Sequence, residues 1–241
     1  MSLKKYRHIV WDWNGTLLDD ACLCVDILNQ LLIRRAMPVI SLHEYQEKFD
    51  FPVKEYYRGL GFDFSIEPFE MLAEEFIRKY NFRRAECRLQ KNAKRALKFF
   101  SEAGCTQSIL SAYQHDWLIE VVQDFGLKDF FTRLVGLNDY YAVGKVENGI
   151  RLIRDMKMDA QEVLFIGDTI HDFATAKAMG VDCVLIPSGH QSRKKLESCG
   201  TAVLNSLEEI FQQLSLSGLT GQSRGDLQGA EEKTGFPPAL E

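Results

Sequence analysis

Long apolar runs are missing from this 241-residue chain. Asp12 interrupts the run that begins at His8, and Asp26 breaks the stretch from Ala21 to Ile33, both far short of the roughly 20 residues a bilayer span requires. No membrane helix is expected. Lys4, Lys5 and Arg7 have no apolar region of signal-peptide length behind them, so the expected compartment is the cytoplasm. A basic excess is missing too. With 29 basic and 34 acidic residues the net charge is −5, which excludes the electrostatic footprint of a nucleic-acid binder. The six cysteines include no CxxC pair and no Cys/His set at zinc spacing, so free thiols are expected rather than a disulfide framework or a zinc site.

Proline is absent between Pro68 and Pro187, which leaves the middle of the chain free for regular elements. There the apolar periodicity switches back and forth. Gln90 to Ala103 places Ala93, Ala96, Leu97 and Phe100 on one helical face before Gly104, and Thr106 to Leu110 then reads as a strand. The phrase recurs twice: Trp117 to Phe125 stops at Gly126 before a strand at Arg133 to Val135, and Ala174 to Met179 stops at Gly180 before Cys183 to Ile186. Val146 to Met156 is helical by spacing, and Val163 to Ile166 is a short strand apolar on both faces. With a first strand at Arg7 to Trp11, this alternation predicts an α/β fold, a Rossmann-like parallel sheet core between helices.

Between that first strand and the helix at Gln90 lies a stretch with helical patterns only: Ala21 to Arg35, Ser41 to Phe49, Val53 to Leu60 and Pro68 to Phe82. It predicts an inserted all-helical cap domain. The expected division is a core over 1–19 and 89–216, a cap over 20–88 and a flexible tail over 217–241, where five of the 17 glycines and two of the six prolines gather.

In an open parallel sheet, ligands bind beyond the carboxyl ends of the strands. The residues there are Asp12-Trp13-Asn14-Gly15-Thr16, then Ser111, then Lys145 at a helix start, then Asp168 and Asp172. Carboxylates, a hydroxyl and an ammonium converging on one point suit a phosphate held beside a hard divalent cation such as Mg²⁺. Asp12 and Asp168 fit the cation, Lys145 and Ser111 fit the phosphate, and Asp12 can attack phosphorus.

In this order the four motifs resemble those of the haloacid dehalogenase superfamily, and the insertion after the first motif resembles the cap of its phosphoglycolate phosphatase-like branch. The resemblance covers about residues 6 to 214. It implies a Mg²⁺-dependent phosphatase of a small phosphorylated metabolite, with Asp12 as nucleophile. It implies phosphate binding by Ser111, Ala112, Lys145 and Thr16, and metal binding by Asp12, the Asn14 carbonyl, Asp168 and Asp172. A monomer or homodimer, with no nucleic-acid or membrane partner, is expected.

One position departs from the pattern. Where these phosphatases carry a second aspartate as general acid and base, this chain has Asn14, whose amide cannot transfer a proton; such assistance is worth about 10² to 10⁴-fold. His171, Asp19 and Asp20 are the candidate substitutes, although His171 reads as a helix-start surface residue. Two alternatives follow: a phosphonatase-like C–P hydrolase, which needs a cap lysine, or a phosphate-ligand binder with vestigial turnover. For substrate recognition, the cap offers Arg34, Arg35, Lys48, Lys54 and Arg58, with Lys54 the first to test.

Overall fold

The computed structural model describes residues 5–137 and 144–219. The chain begins with β1 (His8–Trp11) and β2 (Leu18–Asp19), followed by the helices α1 (Ala21–Arg34), α2 (Leu42–Lys48), α3 (Val53–Gly59) and α4 (Phe69–Arg83). It returns through β3 (Arg88–Leu89), α5 (Ala93–Glu102), β4 (Thr106–Gln114), α6 (His115–Asp124) and β5 (Arg133–Leu137). It continues as α7 (Lys145–Met156), β6 (Val163–Gly167), α8 (Ile170–Met179), β7 (Asp182–Leu185), α9 (Arg193–Glu197), β8 (Ala202–Val203) and α10 (Leu207–Leu219).

Six strands form one parallel sheet in the order β5-β4-β1-β6-β7-β8. Its central strands are buried on both faces because their side chains alternate between two apolar layers. Ile9, Trp11, Ile109 and Ile166 pack with Ala96 and Phe100 of α5 and Ile210 of α10. Val10, Leu110, Phe165 and Leu185 pack with Leu152 of α7, Ala176 of α8 and Leu196 of α9. Gly104, Gly126 and Gly180 close their helices at positive φ, as the sequence predicts.

The differences from the sequence reading lie at the edges of elements. α8 starts at Ile170 rather than Ala174, because Thr169 and Asp172 form a capping box that carries the helix back to the strand end. β4 runs past Leu110 to Gln114, with a break in register between those two residues. Two-residue strands are too short for periodicity to reveal; β2 and β3 pair antiparallel where the chain enters and leaves the helical insertion α1–α4. Of the tail expected over 217–241, the first three residues continue α10 and the remainder lies outside the described residues.

The insertion rests on the carboxyl end of the sheet. Gln191 Nε2 donates to the Phe49 carbonyl at 2.9 Å, Lys195 Nζ to the same carbonyl at 2.7 Å, and Gln46 Nε2 to the Gly189 carbonyl at 2.8 Å. These bonds hold the end of α2 against the loop that follows β7 and against α9.

Candidate active site

The carboxyl end of β1 delivers Asp12 to the centre of the sheet, between β4 and β6, where strand order reverses. Lys145, the first residue of α7, places its ammonium 2.5 Å from Asp12 Oδ1 and 2.5 Å from Asp172 Oδ1. All three side chains are buried, as is Asp168 beyond β6. Burial pushes the Asp12 carboxyl well above its ordinary range, opposed by Lys145 and reinforced by Asp172 and Asp168. Asp168 is pushed up to about 6, chiefly by burial. Asp172 goes the other way: burial would raise it, but Lys145 and the Thr169 hydroxyl hold it down. Lys145 is held above its ordinary range, since its two carboxylate partners outweigh the cost of burying an ammonium.

Three carboxylates around one ammonium leave excess negative charge in a buried site. Single oxygens of Asp12, Asp168 and Asp172 lie within 4.8 Å of one another, so this all-oxygen cluster could hold a divalent cation. The Asp168 carboxylate is cradled for the purpose. Thr16 Oγ1 donates to its Oδ1 at 3.0 Å and the His190 amide to its Oδ2 at 2.7 Å. A Cβ built on Gly15 would fall 2.2 Å from Asp168 Oδ2, and one on Gly189 2.0 Å, so only glycine admits the carboxylate on either side.

Asn14 is committed elsewhere. Its Nδ2 donates to Asp20 Oδ2 and to the Tyr80 hydroxyl, each at 2.8 Å, and Tyr80 donates in turn to Asp20 Oδ2 at 2.8 Å. The other Asp20 oxygen accepts from the Gly15 amide at 2.9 Å and faces His190 Nε2 at 3.4 Å. Burial would raise Asp20, but His190, Asn14 and Tyr80 together keep it below the usual carboxylate range. His190 would be neutral by burial alone; Asp20 raises it to about 9. The pair is therefore ionic at neutral pH, and Asp20 carries no proton to give. Cys24 completes the group, with Sγ 3.7 Å from Asp20 Oδ2. Both Asp20 oxygens and Asn14 Nδ2 are thus spent inside the fold.

The ion pair has a consequence for stability. Because His190 titrates higher folded than unfolded, its contribution is complete below about pH 6.5 and vanishes as pH rises through about 9. Thermal melts in chelator across that window are expected to show the wild type losing about 3 kcal/mol more than His190→Gln. Parallel curves for the two proteins would contradict the pairing.

A cavity of about 210 Å³ opens above Asp12, between the sheet and the insertion. Asp12, Asn14, Ser111, Ala112, Lys145, Asp168 and Asp172 all reach its wall, so the structure brings together the motif residues named from sequence with one exception. Thr16 is turned away, its hydroxyl on Asp168, and does not line the cavity. Ser111 sits at the β4 irregularity, its Oγ accepting from the Tyr113 amide at 3.0 Å. His171, read from sequence as a surface residue, stacks on Phe51 at 4.6 Å and lines the cavity.

The cap cations do not reach it. Arg35 is bound to Glu67 at 2.6 Å and Glu75 at 3.0 Å, Arg34 to Glu75 at 3.0 Å, Arg58 to Glu55, and Lys54 lies 3.7 Å from Glu70. Helical spacing alone does not tell the inward face of a cap from its outer one. Sequence reasoning also missed His190, although Pro187 to His190 follows the carboxyl end of β7, where the strand-end rule applies equally.

The model of the haloacid dehalogenase-like hydrolase family matches residues 9–186. No curated protein matches the chain significantly. Among solved structures, a predicted phosphatase from Clostridium acetobutylicum is similar at 18% identity and TM-score 0.71, covering 88% of this chain and 99% of that one. A haloacid dehalogenase-like family hydrolase from Streptococcus pneumoniae has 14% identity and TM-score 0.73, over 87% and 99% of the two chains. A predicted phosphoglycolate phosphatase from Haemophilus somnus has 16% identity and TM-score 0.67, over 87% and 98%. At such identities the structures attest the fold alone, but the family match spans most of the chain and contains every residue of the carboxylate and lysine cluster: the chain belongs to the haloacid dehalogenase-like hydrolases.

Proposed function

We propose that this protein is a cytoplasmic, Mg²⁺-dependent hydrolase of a small phosphate monoester, working through an aspartyl phosphate on Asp12. The observation that carries this reading is the Lys145 ammonium lodged between Asp12 and Asp172, with Asp168 beside them, at the floor of a cavity between sheet and insertion. Asp12, Asp168 and the Asn14 carbonyl would hold Mg²⁺, with Asp172 beside them, and the cation would supply charge that offsets a phosphate dianion. Lys145 neutralises the transferring group from the other side, and Ser111 with the Ala112 amide orients its oxygens. Asp12, relieved of Lys145 as the phosphate takes that ammonium, is free to attack phosphorus. No cap lysine lines the cavity among the described residues, so nothing favours C–P cleavage through a Schiff base.

Asn14 limits the reaction at both ends, because it can protonate no leaving group and deprotonate no water. Phosphate release from a panel of aryl, sugar and carboxyalkyl phosphates is expected to fall steeply as the leaving alcohol becomes more basic. Asn14→Asp by itself is not expected to help, since the new carboxylate would lie against Asp20 at the 2.8 Å now spanned by the amide. Combining it with Asp20→Asn removes the repulsion and is expected to raise alkyl phosphate turnover by about 10²-fold. If Asn14→Asp alone restores alkyl turnover, this account of Asn14 is wrong. If no variant releases phosphate from anything, the protein is a phosphate-ligand binder instead.

A further inference from the structure

The part of the cavity away from Asp12 is walled mainly by aromatic side chains. Phe49, Phe51, Tyr56, Tyr57, Phe69 and Phe76 face it from the insertion. Their rings form a continuous set, with Phe49 edge-on to Phe51 at 5.3 Å and to Tyr56 at 5.3 Å, and Tyr57 edge-on to Phe69 at 5.9 Å. Among the described residues of the wall, Lys145 is the sole ammonium and there is no guanidinium. A carboxylate or a shell of sugar hydroxyls would find few free partners there, since His190 is already engaged by Asp20 and Tyr45. An aromatic ring needs no such partners and meets edge and face contacts on every side. The space suffices, since an apolar cavity of about 150 Å³ holds a benzene.

Asn14 adds an independent constraint. Asn14 can protonate no leaving group, which suits one that departs as an anion; phenols ionise near pH 10, whereas alkyl alcohols resemble water at about 15.7.

We infer that the substrate is the phosphate monoester of a single-ring phenol, the ring enclosed by the cap aromatics. The inference rests on the phosphatase reading and narrows it. An Asp12 carboxylate oxygen forms a bond to phosphorus, the bond from phosphorus to the ring oxygen breaks, and its electron pair leaves with the aryloxide, which takes a proton from solvent. Water then adds to the phosphorus of the aspartyl phosphate. The bond to Asp12 breaks, regenerating the carboxylate and releasing inorganic phosphate and a proton.

Non-cleavable phosphonates separate recognition from reactivity. In calorimetric titrations of the whole chain with Mg²⁺, phenylphosphonate is expected to bind more than about tenfold tighter than phosphonoacetate or hexylphosphonate. Equal or tighter binding of phosphonoacetate or hexylphosphonate overturns the aryl assignment. A protein that prefers phenylphosphonate yet releases no phosphate from any ester loses the hydrolase reading; one that releases phosphate but prefers phosphonoacetate loses only the aryl one.

Discussion

Asp12→Asn is expected to lower turnover of p-nitrophenyl phosphate by at least about 10⁴-fold while leaving the fold intact. The side chain keeps its shape and loses only its nucleophilic charge. That charge is a burden to the folded state: the carboxylate is buried beside Asp168 and Asp172, and burial already drives it toward the neutral form. Lys145 retains Asp172 as a partner in the variant, so the melting temperature is expected to hold or rise. The wild type supplies a second signature. With an aryl leaving group the first step needs no acid, whereas Asn14 offers no base for the water that cleaves the aspartyl phosphate. Rapid mixing is therefore expected to show a burst of about one equivalent of p-nitrophenol per active site before a slower steady state, and Asp12→Asn to abolish it. Retention of more than a hundredth of the rate, or an undiminished burst, removes Asp12 from its role.

Lys145→Met is expected to cost about 3–5 kcal/mol of stability in chelator. Among the described residues the ammonium is the one positive group touching Asp12 and Asp172, and its loss leaves two buried carboxylates without that partner. Activity is expected to fall by about 10² to 10³-fold, since the transferring phosphoryl group loses a fixed charge. The same change makes the cluster a more negative cage. Mg²⁺ is thus expected to raise the melting temperature of Lys145→Met by more than it raises that of the wild type. Melts unchanged by the substitution, or a smaller Mg²⁺ effect in the variant, contradict the charge balance derived from the structure.

The legible part of the site consists of residues whose place follows from backbone order. Asp12, Ser111, Lys145, Asp168 and Asp172 each come directly after a strand or at the start of the next helix, so a parallel sheet alone brings them to one edge. Asp20 and His190 are 170 positions apart and meet only because the loop after β7 folds over the entrance to α1. Periodicity cannot register such an encounter. The same limit explains why Lys54 and Arg35 looked like candidates for the site: their helices are visible in the sequence, but the direction in which each helix turns its faces depends on how it packs.

Strand, helix and motif order, the inserted helices and the loss of an ionisable group at Asn14 were determined by sequence alone, because each depends on local periodicity or on the chemistry of one residue. Tertiary structure decided what surrounds those residues. It turned Thr16 from phosphate to Asp168, bound Asn14 to an ionised Asp20, and faced the cavity with rings rather than cations. Charge and shape at a point in space are sums over every chain segment that arrives there, and only the folded chain performs that sum.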